Sequence, residues 1–138
     1  MNALSLPFLR PFAPWAPLVL RIGLGIIMAS HGWQKFSNIA GTTEFFGGLG
    51  VPAPGLMAWV VTIVELVGGL CIAFGLATRL WALLFVIVML VAIALARFET
   101  GAVSEYELEL SLLVGALSLA LGGPGGPSLD RSLGIDRS

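Results

Sequence analysis

The apolar run from Leu56 to Leu76 is long enough to cross a bilayer as a helix and carries one charge, Glu65, near its middle. About 20 predominantly apolar residues span the hydrocarbon core, so this run is read as a transmembrane helix. A carboxylate at that depth costs roughly 2.5–3.5 kcal/mol on insertion scales, and such a group faces protein or water and marks a site. What Glu65 faces is therefore the question that organises the rest of the chain.

Composition excludes a soluble domain. The 138 residues are 57% hydrophobic and 11% charged, with a mean hydropathy of +0.98, whereas a soluble domain carries about 25% charged side chains. Four apolar segments, about 17–36, 56–76, 80–96 and 106–121, fill most of the chain. As helices they measure roughly 24–32 Å, matching a hydrocarbon core of about 30 Å. The expectation is an all-α membrane protein: one domain over 1–138, built as a bundle of four transmembrane helices. The first segment carries Arg21 and has no clean small-x-small site after it, so it is read as a retained helix and not as a cleaved leader.

Lysine and arginine predict the orientation. With the N-terminus cytoplasmic, that side holds Arg10, Arg21, Arg79, Arg131 and Arg137, and the other holds Lys35 and Arg97. The bias places both termini in the cytoplasm, in a cell inner (plasma) membrane. Trp15 and Trp81 then fall at cytoplasmic ends and Trp33 and Trp59 at outer ends, as an interfacial aromatic belt requires. The basic residues are dispersed and the net charge is −1, which gives no footprint for nucleic acid.

Connections add detail. Gly75 to Arg79 permits only a tight hairpin between the second and third spans. The stretch Ser37 to Gly55 is long for so small a protein, and Phe45, Phe46 and Leu49 recur at helical spacing. That pattern predicts a short interfacial helix ended by Gly47-Gly48 or Gly50. The glycine- and proline-rich stretch Gly122 to Asp130 reads as a helix terminator followed by a poorly structured end. Small residues at a spacing of seven, Gly25 and Gly32, Gly68 and Gly75, Ser111 and Ser118, mark faces where helices approach closely.

The intramembrane polar residues crowd into the outer half. At about 1.5 Å per residue, His31 lies roughly 7 Å below Phe36, Glu65 roughly 13 Å below Leu56 and Glu109 about 4 Å below Tyr106. Arg21, His31 and Lys35 share an arc of about 80° on the first helix, which should face the bundle. Arg21 either snorkels to the headgroups or reaches inward toward Glu65, and Lys35 and Arg97 read as boundary cations. His31 can carry a proton near neutral pH. Glu105 and Glu107 read as solvated charges beside Glu109. One histidine and one cysteine leave no multi-histidine metal site, no bis-histidine haem and no thiol pair, so no intrinsic metal, haem or flavin is expected. The glycines lack a nucleotide-loop context, and Ser30 beside His31 points about 100° away from it.

In order along the chain stand His31-Gly32-x-x-Lys35, Phe45-Phe46-x-x-Leu49-Gly50-Val51-Pro52, Glu65-x-x-Gly68-Gly69, Gly75-x-x-Thr78-Arg79, then Glu107 or Glu109, Gly123-Pro-Gly and Ser128-Leu-Asp130. This series resembles the DoxX family from about Leu18 to Asp130. The resemblance implies a four-helix membrane bundle. It also points to relatives that serve a thiosulfate:quinone oxidoreductase or partner thiol and oxidative-stress enzymes. Two functions follow as expectations. In one, the chain is a subunit of a quinone-dependent oxidoreductase in which His31 and Glu65 exchange protons with a quinone held by Arg21, Lys35 and Glu109, electrons coming from a partner or soluble reductant. In the other, it is a non-catalytic anchor for a membrane complex, with Glu65 pairing with Arg21 or His31 to fix helix register. A proton or solute conduit fits less well with small-residue seams. Lipid bilayer and a protein partner are the expected company in both.

Overall fold

The computed structural model describes residues 3–96 and 106–138. Two 3-10 helices, Ala3–Ser5 and Pro7–Trp15, precede α1 (Ala16–Ser37); α2 (Ile39–Gly48), α3 (Pro54–Phe74), α4 (Thr78–Ala96), α5 (Glu107–Gly122) and α6 (Leu129–Ser132) follow. Helix is the regular secondary structure of the described residues. The expectations for Arg97 and Glu105 fall outside them.

Local chemistry sets the helix ends. Pro17 and Pro54 occupy the first turns of α1 and α3, where a missing N–H costs no helical bond. Asn38 caps α2 by accepting from the Gly41 N–H at 3.1 Å. Gly75 closes α3 at φ 72°, and the Leu76 N–H reaches back to the Cys71 carbonyl at 2.8 Å. This Schellman-type reversal makes α3 and α4 a hairpin, as the short connection predicts.

The segments Pro7–Ser37, Pro54–Phe74 and Thr78–Leu95 are long and apolar enough to cross a membrane. The 16-residue α5 is shorter than these. Packing divides each long helix into two sides. Leu24 and Met28 of α1, Val64 and Ile72 of α3, Ala82, Phe85 and Met89 of α4, and Leu112, Ala116 and Leu119 of α5 form the buried core. Val19, Ile26, Ile63, Leu70, Leu83 and Leu90 point outward and remain exposed. An apolar belt of this kind is stable against acyl chains and not against water, which makes the chain a multi-pass membrane protein in contact with lipid.

Of the two glycine pairs, Gly25 and Gly32 mark one face as their spacing predicts, whereas Gly68 and Gly75 do not, because Gly68 faces α4 and Gly75 faces Arg21 and Ser128. A side chain on Gly25 would overlap the Gly69 carbonyl, and one on Gly32 would overlap the backbone of Leu66, so α1 and α3 pack backbone to backbone. Gly69, not Gly68, is the α3 half of that seam. Gly68 faces α4, where the half-buried Trp81 and the buried Phe85 lie over it. Trp33 and Trp59 do meet at one end, each against Phe36. Ser111 and Ser118 form no seam: both are exposed, and α5 packs through Leu112, Ala116 and Leu119. Ser111 simply donates to the carbonyl of Glu107 four residues back.

The end of the chain is ordered, contrary to the loose tail expected from its glycines and prolines. Asp130, 1% exposed, accepts from the Ala77 and Thr78 N–H groups at 2.6 and 2.8 Å, and its own N–H donates to the Gly75 carbonyl. The carboxylate thereby caps α4 at the positive end of its dipole. It also steadies Ala77, whose φ of 48° costs a non-glycine residue about 1 kcal/mol. Arg79 adds bonds to the Ala120 and Leu121 carbonyls and to Asp136. Turns at Gly123 and Gly125 let the chain double back, and these are the residues that looked like disorder.

Candidate functional site

The close approach of α1 and α3 creates the site. Gly32 lies against Leu66, so the residue before Leu66 and the residue one turn beyond Gly32 come within reach of one another. Lys35 Nζ donates to Glu65 Oε2 at 2.6 Å, with the two side chains 24% and 4% exposed. This answers what Glu65 faces. Its partner is Lys35, the cation read from sequence as a boundary charge, and not Arg21.

The pair borders a cavity of about 400 Å³, within the range of about 300–1,000 Å³ typical of small-molecule sites. His31, Lys35, Glu65 and Glu109 all line it. Phe45 and Phe46 of α2, with Leu49 and Val51 beyond it, close one side, and Val88, Met89 and Ala92 of α4 supply an apolar wall. Met28 and Leu112, both buried, lie deeper. Four polar side chains thus converge in a chamber otherwise made of hydrocarbon. Position along α1 explains part of this: Met28, His31 and Lys35 recur at helical spacing on the face turned to the bundle.

Arg21 does not join them. It is fully buried at the other end of α1, where its guanidinium donates to the Pro127 carbonyl beside Asp130. The left-handed Gly75 leaves room for it, since a side chain there would overlap the guanidinium. Neither snorkelling nor pairing with Glu65 describes this residue. The tail returns along the bundle end and offers a carbonyl before either can occur. Glu107, as expected, is exposed at the start of α5.

A donor, an acceptor and an imidazole are available to a ligand head. The Lys35 ammonium can donate, the Glu65 carboxylate can accept, His31 can do either, and Glu109 adds a second carboxyl group. Because Lys35 and Glu65 neutralise one another, their shared wall is polar without net charge. The α4 wall escaped sequence reasoning because α4 carries no polar residue beyond its first turn to draw attention to it. The docking of Asp130 was equally silent, since its partners are backbone N–H groups.

Comparisons with known proteins agree with this architecture. A sequence model of the DoxX family matches residues 16–97. The chain is 39% identical to a Bacillus subtilis protein named "Putative oxidoreductase CatD", over 77% of this chain and 78% of that one. It is 38% identical to inner membrane protein YqjF of Escherichia coli, over 84% and 90% of the two chains. Inner membrane protein YphA of the same bacterium is 28% identical over 83% and 87%. No solved structure matches the chain. The matched region holds the Gly25–Gly32 seam, the Lys35–Glu65 pair and the α3–α4 hairpin, and the chain belongs to the DoxX family.

Proposed function

We propose that this protein is the membrane subunit of a quinone-linked oxidoreductase, and that the cavity beside Lys35 and Glu65 receives the quinone head. The observation that carries the reading is the convergence of His31, Lys35, Glu65 and Glu109 on one apolar chamber. A quinone has a flat ring with two carbonyl oxygens and a hydrocarbon tail, and the chamber offers donors for such oxygens and apolar walls for such a ring. Reduction adds two electrons and two protons, one proton to each oxygen. Lys35 and His31 hold protons at positions to hydrogen-bond those oxygens, and Glu65 and Glu109 can relay replacements. The electrons come from a partner oxidoreductase or a soluble reductant. A relative whose name includes oxidoreductase supports the class of chemistry.

In the same reading α5 crosses the bilayer as a fourth helix, and both termini are cytoplasmic. Five cations, Arg10, Arg21, Arg79, Arg131 and Arg137, assigned to one side against Lys35 and Arg97 on the other support that orientation.

The test is binding of a short-tailed benzoquinone or naphthoquinone to protein purified in lipid nanodiscs, read by quenching of tryptophan fluorescence. Glu65→Gln and His31→Ala should each weaken binding at least about tenfold, the equivalent of 1.4 kcal/mol. Unchanged affinity in both variants would sink the proposal.

One observation favours a second reading, a non-catalytic anchor for a partner complex. Lys35 and Glu65 already satisfy each other at 2.6 Å, as a pair that fixes helix register would. Extraction of lipid-soluble cofactors from the purified protein separates the two: bound quinone supports the first reading, and a stable protein partner without quinone supports the second.

A further inference from the structure

The 3-10 helix Pro7–Trp15 is the part of the chain whose side chains are least accounted for by the bundle. None of its residues is buried. Leu9, Phe12 and Trp15 are 50%, 64% and 49% exposed, and Leu6 and Phe8 are exposed as well. In a 3-10 helix residues three apart lie one above the other, so Leu9, Phe12 and Trp15 form one apolar stripe, with Leu6 at its start. Arg10 and Ala13 lie on the neighbouring face.

The segment is more than the membrane span needs. At 22 residues, α1 alone is about 33 Å long and fills a hydrocarbon core of about 30 Å. A further nine residues of 3-10 helix add about 18 Å. Their backbone also forbids deep burial. Pro11 and Pro14 have no N–H, which leaves helix carbonyls without intrahelical donors, and acyl chains cannot supply any. Free projection into water is no better, because the stripe would hydrate three large apolar side chains. The interface between headgroups and acyl chains satisfies both requirements.

The position and charge of the segment fit the same surface. It runs directly into the membrane-spanning α1, and the Gly126 N–H donates to the Pro14 carbonyl at 3.2 Å, fixing its base against the returning tail. Asp130 and Asp136, the acidic side chains of that tail, are engaged by the α4 N-terminus and by Arg79. Arg10, Arg79, Arg131 and Arg137 are exposed cations of this end, and of these Arg79 is bonded to Asp136.

We propose that Leu6–Trp15 is a lipid-recognition element that lies in the plane of the membrane, with the Leu9–Phe12–Trp15 stripe inserted at the headgroup boundary and Arg10 set against anionic phospholipid headgroups. It lies at the end of α1 opposite the cavity and is independent of quinone chemistry.

The chain's single cysteine makes the test direct. In a Cys71→Ala background, or Cys71→Ser where alanine does not purify folded, nitroxide labels are placed at Phe12→Cys and Ala13→Cys. The protein is reconstituted into phosphatidylcholine vesicles with and without phosphatidylglycerol. The label at 12 should be relaxed more by oxygen than by aqueous nickel chelate, and the label at 13 more by nickel than by oxygen. Phosphatidylglycerol should deepen the label at 12, and Arg10→Glu should abolish that deepening. Nickel accessibility exceeding oxygen accessibility at position 12 in both vesicle types overturns the proposal. Shielding of position 12 from both relaxants means protein covers the stripe, and overturns it equally. A depth at 12 that ignores phosphatidylglycerol overturns the role of Arg10.

Discussion

At one end of α1, Lys35 meets Glu65 on the wall of a cavity; at the other, about four helical turns away on the same face, Arg21 is packed against the returning tail. Both are cations in an apolar helix, and both are drawn inward. The difference lies in what completes their valences. Arg21 is 0% exposed and is held by the tail, through the Pro127 carbonyl beside an Asp130 already committed to the α4 N-terminus. Lys35 keeps 24% exposure, and the one bond it makes to Glu65 leaves donor capacity directed at a void. A buried cation enclosed by protein and held to backbone is structural, even though the Arg21 Nε itself has no hydrogen-bond partner among the described residues, and one held by a single side chain beside a cavity can exchange its partner for a ligand.

The sharpest way to break this contrast is to remove the anchor of the closed end. Asp130→Ala takes two bonds from a charged acceptor and leaves the Ala77 and Thr78 N–H groups without their cap, which should cost about 3 kcal/mol. The readout is denaturant unfolding in detergent. Asp130→Asn, which keeps one acceptor oxygen, should lose about half as much, and cavity binding by the folded fraction should be unchanged in both. A loss of ligand affinity with little loss of stability would mean that the two ends are not separate systems.

Gly32→Ala attacks the geometry that makes the open end. Its methyl group would overlap the Leu66 backbone, which cannot move as a side-chain tip can. Overpacking of this kind costs about 2 kcal/mol, and the displaced helices should separate Lys35 from Glu65. Stability and ligand affinity should fall together, measured by thermal unfolding and by binding on the same preparation. Gly23→Ala, with open space around it, is the matched control: it should leave affinity unchanged and should not lower stability, since alanine is the better helix former by up to about 1 kcal/mol.

Glu65→Gln should have a smaller effect on stability, about 1 kcal/mol, because a partly exposed Lys35 can find solvent or headgroups when its partner is neutralised. The double variant Lys35→Met with Glu65→Leu should recover that stability yet still fail to bind the ligand, since hydrophobic replacement of an ion pair is often neutral or favourable. Unfolding and binding measured across the full cycle separate register-fixing from ligand-holding. A double variant far less stable than either single change would mark the pair as structural.

These contrasts also show what could be read from sequence. Glu65 announced itself because a charge in an apolar run is expensive, and Phe45 and Phe46 marked α2 because helical spacing survives in a short element. Four of the five expected site residues, His31, Lys35, Glu65 and Glu109, came to one cavity because depth along a helix is linear in residue number. Pairing across helices was less legible. Arg21 and Lys35 are equally basic and lie on one face, but the contact of Gly32 with Leu66 sets Lys35 level with Glu65 and leaves Arg21 at the far end of α1, where the return of the tail supplies the Pro127 carbonyl. That return depends on turns at Gly123 and Gly125 and on an aspartate bonded to backbone N–H groups, interactions that leave no complementary residue to find. The serine spacing on α5 misled for a related reason, because a serine that satisfies its hydroxyl with a carbonyl four residues back can face outward at little cost.

The outermost bond of the closed end should yield to acid before the rest of it. The hydroxyl and backbone N–H of Ser138, and after them Arg79, hold the Asp136 carboxyl down at about 2 from an ordinary 3.8. A depressed carboxylate pKa contributes stability that is complete above the unfolded value and fades as pH falls toward the folded one. The window for release of Asp136 from Arg79 is therefore about pH 4 to 2. Arg79 keeps its bonds to the Ala120 and Leu121 carbonyls throughout, so the expected consequence is local fraying of the last residues with the bundle intact. Pepsin, which works in this range, should trim the C-terminus increasingly between pH 4 and 2 while α3 and α4 stay protected, and Asp136→Asn should be trimmed equally at both ends of the window. Fraying that begins well above pH 4 would mean that Asp136 is not the group that fastens the tip of the tail.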